Sequence, residues 1–358
     1  MKVLLVLNHA TDYRESFLRE LGNYVELTVL AGSCERDNLT APKKRDGYTY
    51  VESNPFRVKG VSVSILHLRK IKPLEFDVIC CAFSPREPFW FFYFLLSRKV
   101  RSKWIWWGQI YGRNDSGLLN SFRKYILQKS SGILVYSQPI VERLKKDYGI
   151  EASSFNNTEI DENEFTRGSF QKKKEVNLLY VGRYQPRKKL HRLVELAERR
   201  NDVYVRLVGS GMKEGIEIPL KLNNSKQIEV FGYVSGKDLI PHFEWADIVA
   251  NPGHVGLLVM NAARHGKGIV IDKKSHHAPE YWLAKEAEQP FIPFSDDSDV
   301  DKFIDEILGN KEVLKTLGDR LQSKAREKYT IQYMARVHFS MFKSVREKMN
   351  GSFGQSDN

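Results

Sequence analysis

The stretch that decides the fold is VNLLYVGRYQPRKK, residues 176–189. Its first six residues are almost all apolar, which is typical of a strand buried on both faces of a parallel sheet. The strand ends at Gly182, and the loop after it carries Arg183 and Lys188. Ligands of open α/β sheets bind beyond the carboxyl ends of the strands, and these two cations suit phosphate oxygens. The stretch therefore predicts a phosphate-binding loop, although a solvated basic loop before a helix explains it equally well.

Short apolar runs of the same kind recur along the chain and alternate with helix-like segments. In the first half they lie at residues 3–7, 25–30, 61–66, 77–83, 104–107 and 133–136. In the second half they lie at residues 176–181, 203–208, 228–231, 247–250, 268–271 and 291–294. Strands that alternate with helices form right-handed βαβ units with parallel strands. We therefore predict two doubly wound, Rossmann-like α/β domains that face a cleft.

A polar, charge-mixed stretch at residues 152–174 separates the two halves and is typical of an interdomain linker. The length of 358 residues also agrees with two domains. We predict an N-terminal domain over residues 1–165 and a C-terminal domain over residues 170–330. The helical pattern at residues 331–349 has no strand after it, so we expect this helix to pack back on the first domain.

Cysteine usage and hydropathy predict a cytoplasmic protein. The three cysteines are odd in number and two are adjacent, which disfavours a disulfide framework and favours a reducing compartment. The run at residues 3–7 is too short for the apolar region of a signal peptide. The most apolar stretch, residues 89–96, is far shorter than the roughly 20 residues that span a bilayer.

The net charge of +12 is concentrated in one third of the chain. Residues 51–150 carry 17 Lys and Arg against 7 Asp and Glu, a net of +10. Such a field attracts the phosphates of nucleic acid, anionic lipid or a phosphorylated substrate. The apolar run at 89–96, followed by the basic SRKVRSK, is explained either by a buried helix or by an aromatic surface in the lipid headgroup region. A second basic amphipathic segment at residues 118–129 keeps the second interpretation open.

The second informative stretch is NPGHVGLLVMNAARHG, residues 251–266, in which a strand runs into a turn and a helix begins near Gly256. Free backbone N–H groups at such a turn are a natural anion site. Gly253 and Gly256 would let a diphosphate approach the backbone closely. Asn261, about one and a half helical turns further on, could reach a ribose hydroxyl. An ordinary strand–turn–helix is the alternative for this segment alone.

Other motifs are weaker. Gly209, Ser210 and Gly211 with Gly215 come close to a dinucleotide fingerprint, but the third glycine is one place late. The acidic loop at residues 297–299 is expected to cap the next helix, because a site for a hard cation needs several converging oxygens. No Cys/His set has zinc spacing, and the sequence lacks the GxSxG and P-loop signatures. We therefore predict no metal site.

Taken in order, these segments resemble the retaining glycosyltransferases of family 4, which have the GT-B fold. The resemblance covers most of the chain and is clearest from residue 132 to residue 294. Gly182-Arg183 with Lys188 matches the pair that binds the donor diphosphate in this family. The sequence VGSG at 208–211 matches the family's glycine turn, and FGYV at 231–234 matches the segment that lies beside the nucleotide base. Residues 247–266 match its long donor motif. The residues that the resemblance assigns to the donor are Gly182, Arg183, Lys188, Gly209, Tyr233, Gly253, His254, Val255, Gly256, Leu257, Asn261 and Glu280.

The chain departs from the family pattern at two places. The family's paired glutamates, of which the first contacts the donor sugar and the second the ribose, fall on Gly253 and Asn261. In the first domain, many relatives have a histidine after the strand at residues 104–107, and here Gln109 is assigned to that catalytic position. The catalytic residues implied by the resemblance are therefore Arg183, Lys188 and Gln109.

The resemblance implies transfer of a hexosyl or deoxyhexosyl group, with retention, from a nucleotide-diphosphate sugar, and a UDP-sugar is favoured. It also implies that no metal or other cofactor is needed. We expect a saccharide acceptor on a polyprenyl diphosphate lipid, in O-antigen or capsule biosynthesis, and an enzyme that is peripheral on the inner face of the cytoplasmic membrane. The basic region then faces an anionic membrane and not nucleic acid, since it lacks a nucleic-acid reader motif. The alternatives are a small soluble acceptor or, because of the two missing glutamates, a catalytically idle GT-B relative that acts as a scaffold or sensor.

Overall fold

A computed structural model of the chain describes residues 1–37, 39–53, 56–58, 61–63, 71–112, 117–170, 174–218, 220 and 225–353. The chain divides into two compact units, which are Met1–Glu159 with the segment from Ile331, and Ile160–Thr330. Each unit contains its own parallel sheet with helices, so the predicted fold class of two doubly wound α/β domains is confirmed.

The first unit is built on a parallel sheet of seven strands within the described residues. The described strands of this unit, nine in all, are β1 (Lys2–His9), β2 (Glu26–Gly32), β3 (Thr49–Ser53), β4 (Phe56–Val58), β5 (Val61–Val63), β6 (Val78–Ala82), β7 (Trp104–Gly108), β8 (Gly132–Val135) and β9 (Ser153–Ser154). The sheet has the order β3-β2-β1-β6-β7-β8-β9, and β4 pairs with β5 in a separate antiparallel hairpin. Its helices are α1 (Asp12–Gly22), α2 (Pro88–Leu95), α3 (Arg98–Arg101), α4 (Gly117–Gln128), α5 (Gln138–Tyr148) and the C-terminal helix (Ile331–Phe353).

Both faces of this sheet are covered, which is why its central strands are continuous apolar runs. Along β1, Val3 and Leu5 belong to one buried cluster and Leu4 and Val6 to the cluster on the opposite face. The C-terminal helix contributes Ile331, Met334, Ala335, Phe342 and Val345 to the first cluster. All three cysteines are buried free thiols.

A buried hydrogen-bond chain fixes the C-terminal helix against β7. The Trp107 indole N–H donates to His338 Nε2 (2.9 Å), and His338 Nδ1 donates to the Met334 carbonyl oxygen (2.7 Å). Burial lowers the pKa of His338 to about 4. The ring is therefore neutral at pH 7, as an acceptor for the indole must be.

One predicted strand was placed wrongly. The run at 61–66 was expected to join the sheet, but Val61–Val63 pairs with Phe56–Val58 in the hairpin, and residues 64–66 lie outside the described residues. The strand beside β2 is instead Thr49–Ser53, with the sequence TYVES. This strand lies at the edge of the sheet and is only partly buried, so it lacks the continuous apolar run used to find the others.

The second unit contains a parallel sheet of six described strands. They are β10 (Val176–Val181), β11 (Val203–Val208), β12 (Ile228–Phe231), β13 (Ile248–Asn251), β14 (Ile269–Asp272) and β15 (Phe291–Ile292), in the order β12-β11-β10-β13-β14-β15. Its helices are α6 (His191–Arg199), α7 (Ile240–Trp245), α8 (Leu258–Arg264), α9 (Tyr281–Glu286), α10 (Asp297–Gly309) and α11 (Glu312–Lys328). The chain leaves β10 toward β11 on one side and returns to β13 on the other. The strand order thus reverses between β10 and β13, where open α/β sheets bind ligands.

The second unit begins at Ile160, earlier than the predicted boundary at residue 165. Ile160 is fully buried in the core of this unit, and the Thr166 amide donates to the Arg264 carbonyl oxygen (2.9 Å). At the other end of the unit, Asp296 is the N-cap of α10, and its carboxylate accepts hydrogen bonds from the Ser298 and Asp299 amides. The predicted cap was placed one residue too late, because Asp296 caps the helix and residues 297–299 form its first turn.

Candidate functional site

The carboxyl edge of the second sheet gathers the loops that follow β10, β11 and β12. The Gly182 amide donates to the Val208 carbonyl oxygen (2.9 Å), and the Gly209 amide donates to the Phe231 carbonyl oxygen (3.1 Å). Gly182 and Gly209 have φ angles of 150° and 148°, and a Cβ atom on Gly209 would overlap the Gly182 carbonyl oxygen. Both positions therefore require glycine, because only glycine adopts this backbone without strain and permits so close an approach.

The turn after β13 is tied to the loop after β10 by hydrogen bonds around Gly253. The His254 amide donates to the Arg187 carbonyl oxygen (3.0 Å), and Lys188 Nζ donates to the His254 carbonyl oxygen (2.7 Å). Within the turn, Asn251 Nδ2 donates to the Gly253 carbonyl oxygen (2.6 Å). A Cβ atom on Gly253 would overlap the Arg187 carbonyl oxygen and lie 2.6 Å from the carbonyl carbon and oxygen of Lys188. The loop and the turn therefore pack as one piece, and any side chain at Gly253 would separate them.

Lys188 is half-buried within this piece, and its environment reduces its basicity. Burial, and then the charge of Arg187, lower the pKa of Lys188 to about 8, while the Glu280 carboxylate opposes the shift. Lys188 is therefore mostly protonated at pH 7 and loses its charge as the pH rises through 8. Because the ammonium is poorly solvated, it attracts an approaching anion more strongly than an exposed lysine does. Arg183, the other predicted cation of this loop, is exposed.

Two neutral histidines flank the turn, and their partners define their tautomers. His254 Nδ1 lies 2.7 Å from the His276 carbonyl oxygen, so Nδ1 carries the proton and Nε2 is an acceptor. The Val255 amide donates to His277 Nδ1 (3.2 Å), so His277 Nε2 carries the proton and donates to the Asp272 carbonyl oxygen (2.8 Å). Burial is the largest cause that lowers the pKa of His254 to about 4 and lowers the pKa of His277. His277 therefore anchors the turn to the end of β14.

The backbone of this turn is only partly open to a ligand, because the His254 and Val255 amides are bonded within the protein. Gly256 differs from Gly253, since a Cβ atom there would lie 3.8 Å from the nearest atom, the Ala278 Cβ. Crowding by the protein thus explains glycine at 253 but not at 256. The approach of a diphosphate to the backbone at Gly256 and Leu257 stays a prediction.

Sequence reasoning missed a polar cluster at the end of β14. Asp272 is 2% exposed, and its carboxylate accepts hydrogen bonds from the Ser275 hydroxyl (2.5 Å) and the Phe294 amide (3.1 Å). Lys189 Nζ lies 3.4 Å from the same carboxylate, and these partners lower the pKa of Asp272 against the opposing effect of burial. The signal that could have found this cluster is an aspartate directly at the carboxyl end of a buried strand.

The remaining predicted donor residues occupy separate elements of the second unit. Tyr233 follows β12 and is 67% exposed, and Asn261 is half-buried in α8. Glu280 is buried just before α9 and acts electrostatically on Lys188. The structure thus brings Lys188, Glu280 and the turn at Gly253 together, and the donor-binding role of these residues stays a prediction.

Gln109 belongs to the first unit and follows β7. It is exposed and lines a cavity of about 520 Å³ whose other walls are mostly apolar. The next residue, Ile110, has a φ of 63°, which is an unusual conformation for a β-branched side chain. The lining residues are Phe83, Pro85, Pro88, Phe91, Phe92, Leu95, Gln109, Ile110, Tyr111, Gly112, Leu119, Phe122 and Arg123. The cavity lies at the carboxyl edge of the first sheet, beside the residues that follow β6 and β7.

Residues 161–328, almost the whole of the second unit, match the family model "Glycosyl transferases group 1". The second unit is therefore similar to group 1 glycosyltransferase domains. The strand order of this unit reverses beside β10, and the loop of Arg183 and Lys188 lies at the carboxyl edge of the sheet next to that reversal, where open α/β sheets bind ligands. No curated protein matches the chain at a significant level.

Solved structures of similar fold extend the likeness over both units. A glycosyltransferase from Rickettsia africae ESF-5 is 15% identical, with a TM-score of 0.67 over 96% of this chain and 98% of that one. Sucrose-phosphate synthase from Thermosynechococcus elongatus is 14% identical, with a TM-score of 0.69 over 96% and 99%. Anabaena Alr3699/HepE, solved with UDP and glucose, is 15% identical, with a TM-score of 0.65 over 96% and 100%. The chain therefore has the predicted GT-B fold.

The described residues contain neither a cluster of metal-ligating side chains nor a helix that could span a membrane. Among them, no set of three His, Cys, Asp or Glu side chains is placed to hold a metal ion. In the same part of the chain, no helix combines the length and the hydropathy that crossing a membrane requires.

Proposed function

We propose that this protein is a retaining glycosyltransferase of family 4 that transfers a hexosyl or deoxyhexosyl group from a nucleotide-diphosphate sugar to a lipid-linked saccharide. The observation that carries the proposal is the junction around Gly253, where a group 1 glycosyltransferase domain holds the poorly solvated ammonium of Lys188 against the turn after β13. We favour UDP as the nucleotide. The Anabaena structure, with a similar fold, contains UDP and glucose and supports that choice.

Arg183 and Lys188 are the cations proposed to act on the leaving group. When the bond between the sugar and the diphosphate breaks, negative charge builds up on the diphosphate oxygens. A guanidinium and an ammonium fixed in the loop after β10 stabilise that charge without reorganisation, which is typically worth about 3 kcal/mol per contact. We propose that these two side chains supply the positive charge that a metal ion supplies in other transferases, so that no metal is needed. The proposed displacement occurs on the front face of the sugar and retains its configuration.

The sugar-binding side of the site differs from the pattern of family 4. The position of the family's first glutamate is Gly253, where the backbone of Arg187 and Lys188 occupies the space of a side chain. We propose that His254 replaces the missing contact, because its neutral ring presents Nε2 as an acceptor for a sugar hydroxyl. Asn261, at the position of the second glutamate, is proposed to bind the ribose as an uncharged hydrogen-bond partner.

The first unit is proposed to bind the acceptor and the membrane that carries it. The 520 Å³ apolar cavity beside Gln109 suits the hydrocarbon part of a lipid-linked saccharide. At the cavity, Phe92 is 70% exposed and Phe122 is 46% exposed, and Leu96 near the end of α2 is 72% exposed. Exposed cations, Arg98 and Lys99, follow on α3. Aromatic groups together with cations are typical of a surface that enters the headgroup region of an anionic bilayer. We propose O-antigen or capsule synthesis at the inner face of the cytoplasmic membrane as the setting.

A thermal-shift screen against UDP-, GDP- and dTDP-sugars tests the proposed donor. A ligand at 100 times its Kd stabilises the state that binds it by about 2.7 kcal/mol, which is roughly 5–11 °C for a unit of this size. We expect a shift of this order with one nucleotide class, and we expect Arg183→Ala to remove it. Product analysis by NMR with that donor and a lipid-linked acceptor then reports the anomeric configuration.

A different function is indicated if no nucleotide sugar produces a shift. The chain would then be a catalytically idle GT-B relative that acts as a scaffold or sensor. Gly253 and Asn261, which replace both glutamates of the family pattern, are the observation that favours this second candidate. Sedimentation with anionic and with neutral liposomes tests the membrane part of the proposal independently of the donor.

A further inference from the structure

A second, smaller cavity lies at the carboxyl edge of the first sheet. Its volume is about 250 Å³, and it opens among the ends of β1, β6, β7 and β8 and the start of α1. The strand order reverses between β1 and β6, so this cavity occupies the switch point of the first sheet. The residues that line it are Leu7, Asn8, His9, Thr11, Tyr13, Arg14, Leu39, Ala82, Trp107 and Tyr136.

The cavity contains a buried guanidinium that lacks a carboxylate partner within the described residues. Arg14 is 8% exposed, and its Nη2 donates to the Tyr136 hydroxyl (3.0 Å). Its guanidinium carbon lies 4.8 Å from the centre of the Trp107 ring and 5.0 Å from that of Tyr13. Aromatic rings orient a guanidinium but do not neutralise it. Burial of a charge without a counter-charge is strongly unfavourable, so a buried arginine of this kind needs a functional explanation.

The carboxylate next to Arg14 in sequence, that of Glu15, is paired with a different arginine. Glu15, the next residue on α1, accepts a hydrogen bond from the Tyr48 hydroxyl (2.6 Å) and lies 3.7 Å from Arg45. The carboxylate beside Arg14 in sequence is therefore already paired with another cation. At the other side of the cavity, Asp37 lies 2.5 Å from His9 Nε2.

Thr11 provides an independent observation in the same cavity. It is 6% exposed, and its Oγ1 has no hydrogen-bond partner in the described part of the chain. Thr11 is the N-cap residue of α1, but its side chain makes no cap hydrogen bond. A buried hydroxyl without a partner is uncommon and is explained by a ligand that satisfies it. Thr11 and Arg14 thus line one cavity, and each lacks the partner that its chemistry requires.

We propose that Arg14 and Thr11 bind an acidic group of the acceptor, a carboxylate or a phosphate. The guanidinium matches two oxygens of either group, and the Thr11 hydroxyl donates to a third or shares one of them. The assignment to the acceptor rests on the proposed function, because the donor residues belong to the second unit and this cavity belongs to the first. The acceptor saccharide is therefore an acidic one, and a neutral sugar leaves the guanidinium of Arg14 without a counter-charge.

Isothermal titration of the full-length protein with glucuronate, glucose 1-phosphate and glucose tests the proposal. We expect saturable binding of at least one acidic probe, at least tenfold tighter than binding of glucose. The acidic probe that binds more tightly identifies carboxylate or phosphate as the natural group. Arg14→Met keeps most of the apolar stem beneath Trp107 and should weaken the binding of that probe at least tenfold. Equal binding of acidic and neutral probes, or equal binding by wild type and Arg14→Met, overturns the proposal.

Thr11→Val keeps the test decisive if Arg14→Met does not fold. The substitution removes a hydroxyl that has no partner within the described residues, so we expect an unchanged or higher Tm together with weaker binding of the acidic probe. A purely structural role of the Arg14 cluster predicts unchanged binding in Thr11→Val, and that result refutes the site.

UDP titration of the same variants separates this inference from the proposed function. If Arg14→Met and Thr11→Val bind UDP as the wild type does but bind the acidic probe more weakly, the result supports the site. Absence of UDP binding in the wild type, with Arg14-dependent binding of the acidic probe intact, refutes the donor proposal and leaves the acidic-group site standing.

Discussion

The two glycines of the turn after β13 provide a matched pair of substitutions that tests the geometry of the donor edge. At Gly253, an added Cβ meets the backbone of Arg187 and Lys188, which cannot rotate away as a side chain can. At Gly256, the nearest atom to an added Cβ is 3.8 Å away, which is ordinary van der Waals contact. The same change, glycine to alanine, should therefore have different effects at positions three residues apart.

For Gly253→Ala, the turn has to move away from the loop after β10. The steric cost is about 1–3 kcal/mol, and weakening of the bonds from the His254 amide and from Lys188 Nζ adds about 1–2 kcal/mol. A total near 3 kcal/mol lowers the Tm of a unit of this size by roughly 6–12 °C. For Gly256→Ala, we expect a change in the free energy of unfolding within about 0.5 kcal/mol. Its cost should appear in donor binding, because the new methyl group occupies the surface that the diphosphate approaches.

Differential scanning calorimetry with and without UDP measures both effects. The transition that moves on addition of UDP belongs to the second unit, and the first unit's transition is an internal control. The reasoning is refuted if Gly253→Ala melts with the wild type, or if Gly256→Ala is destabilised as much as Gly253→Ala. Unchanged UDP affinity in Gly256→Ala contradicts only the placement of the diphosphate.

Two further predictions concern the groups that surround this turn. The proposed role of Lys188 requires its positive charge, and its pKa is lowered to about 8, so kcat/KM should fall as the pH rises through 8. Lys188→Arg should move this decline beyond the range in which the protein is stable. A pH profile of both proteins checks this, and a decline that is unchanged in the variant excludes Lys188 as its cause. His277→Phe keeps an aromatic ring but removes the partner of the Val255 amide, so UDP affinity should fall about tenfold. The control His276→Ala changes only an exposed side chain and should bind UDP normally. Equal UDP affinities in the two variants would show that His277 does not position the turn.

The strands that the sequence predicted well are those buried on both faces. The segments of β1 and β10 are almost entirely apolar because both faces pack against helices, and such runs are visible without any knowledge of the tertiary structure. β3 was missed because an edge strand such as TYVES is only partly buried and has no continuous apolar run. Residues 61–66 were misassigned because an apolar run alone does not distinguish a strand of the sheet from one arm of a hairpin.

The candidate site was predictable in its position but not in its contacts. The loop with Arg183 and Lys188 could be located because ligands bind at the carboxyl edge of a parallel sheet. The hydrogen bond from Lys188 to His254 joins residues 66 positions apart, and no spacing rule predicts it. In the sequence, Gly253 was interpreted as a replaced glutamate and as a glycine that admits a diphosphate, whereas the structure shows that backbone atoms of Arg187 and Lys188 occupy the space of a side chain there.

Arg14 shows a different limit of sequence reasoning. In the sequence it is one charged residue in an ordinary amphipathic helix, and nothing marks it as buried. Its burial depends on Trp107 and Tyr136, which arrive from distant strands of the first sheet. A buried charge without a paired charge can be recognised only after the fold has brought its neighbours together.

Turnover and stability of Arg183→Ala, measured on the same preparation, test the central claim most directly. Arg183 is exposed, so the free energy of unfolding should stay within about 0.5 kcal/mol of the wild type. If Arg183 stabilises the departing diphosphate, kcat for nucleotide release should fall by roughly 10²–10³. Arg192→Ala, which removes a surface cation paired with Glu195 on α6, is the matched control and should keep normal turnover. Near-normal kcat in Arg183→Ala would contradict the account.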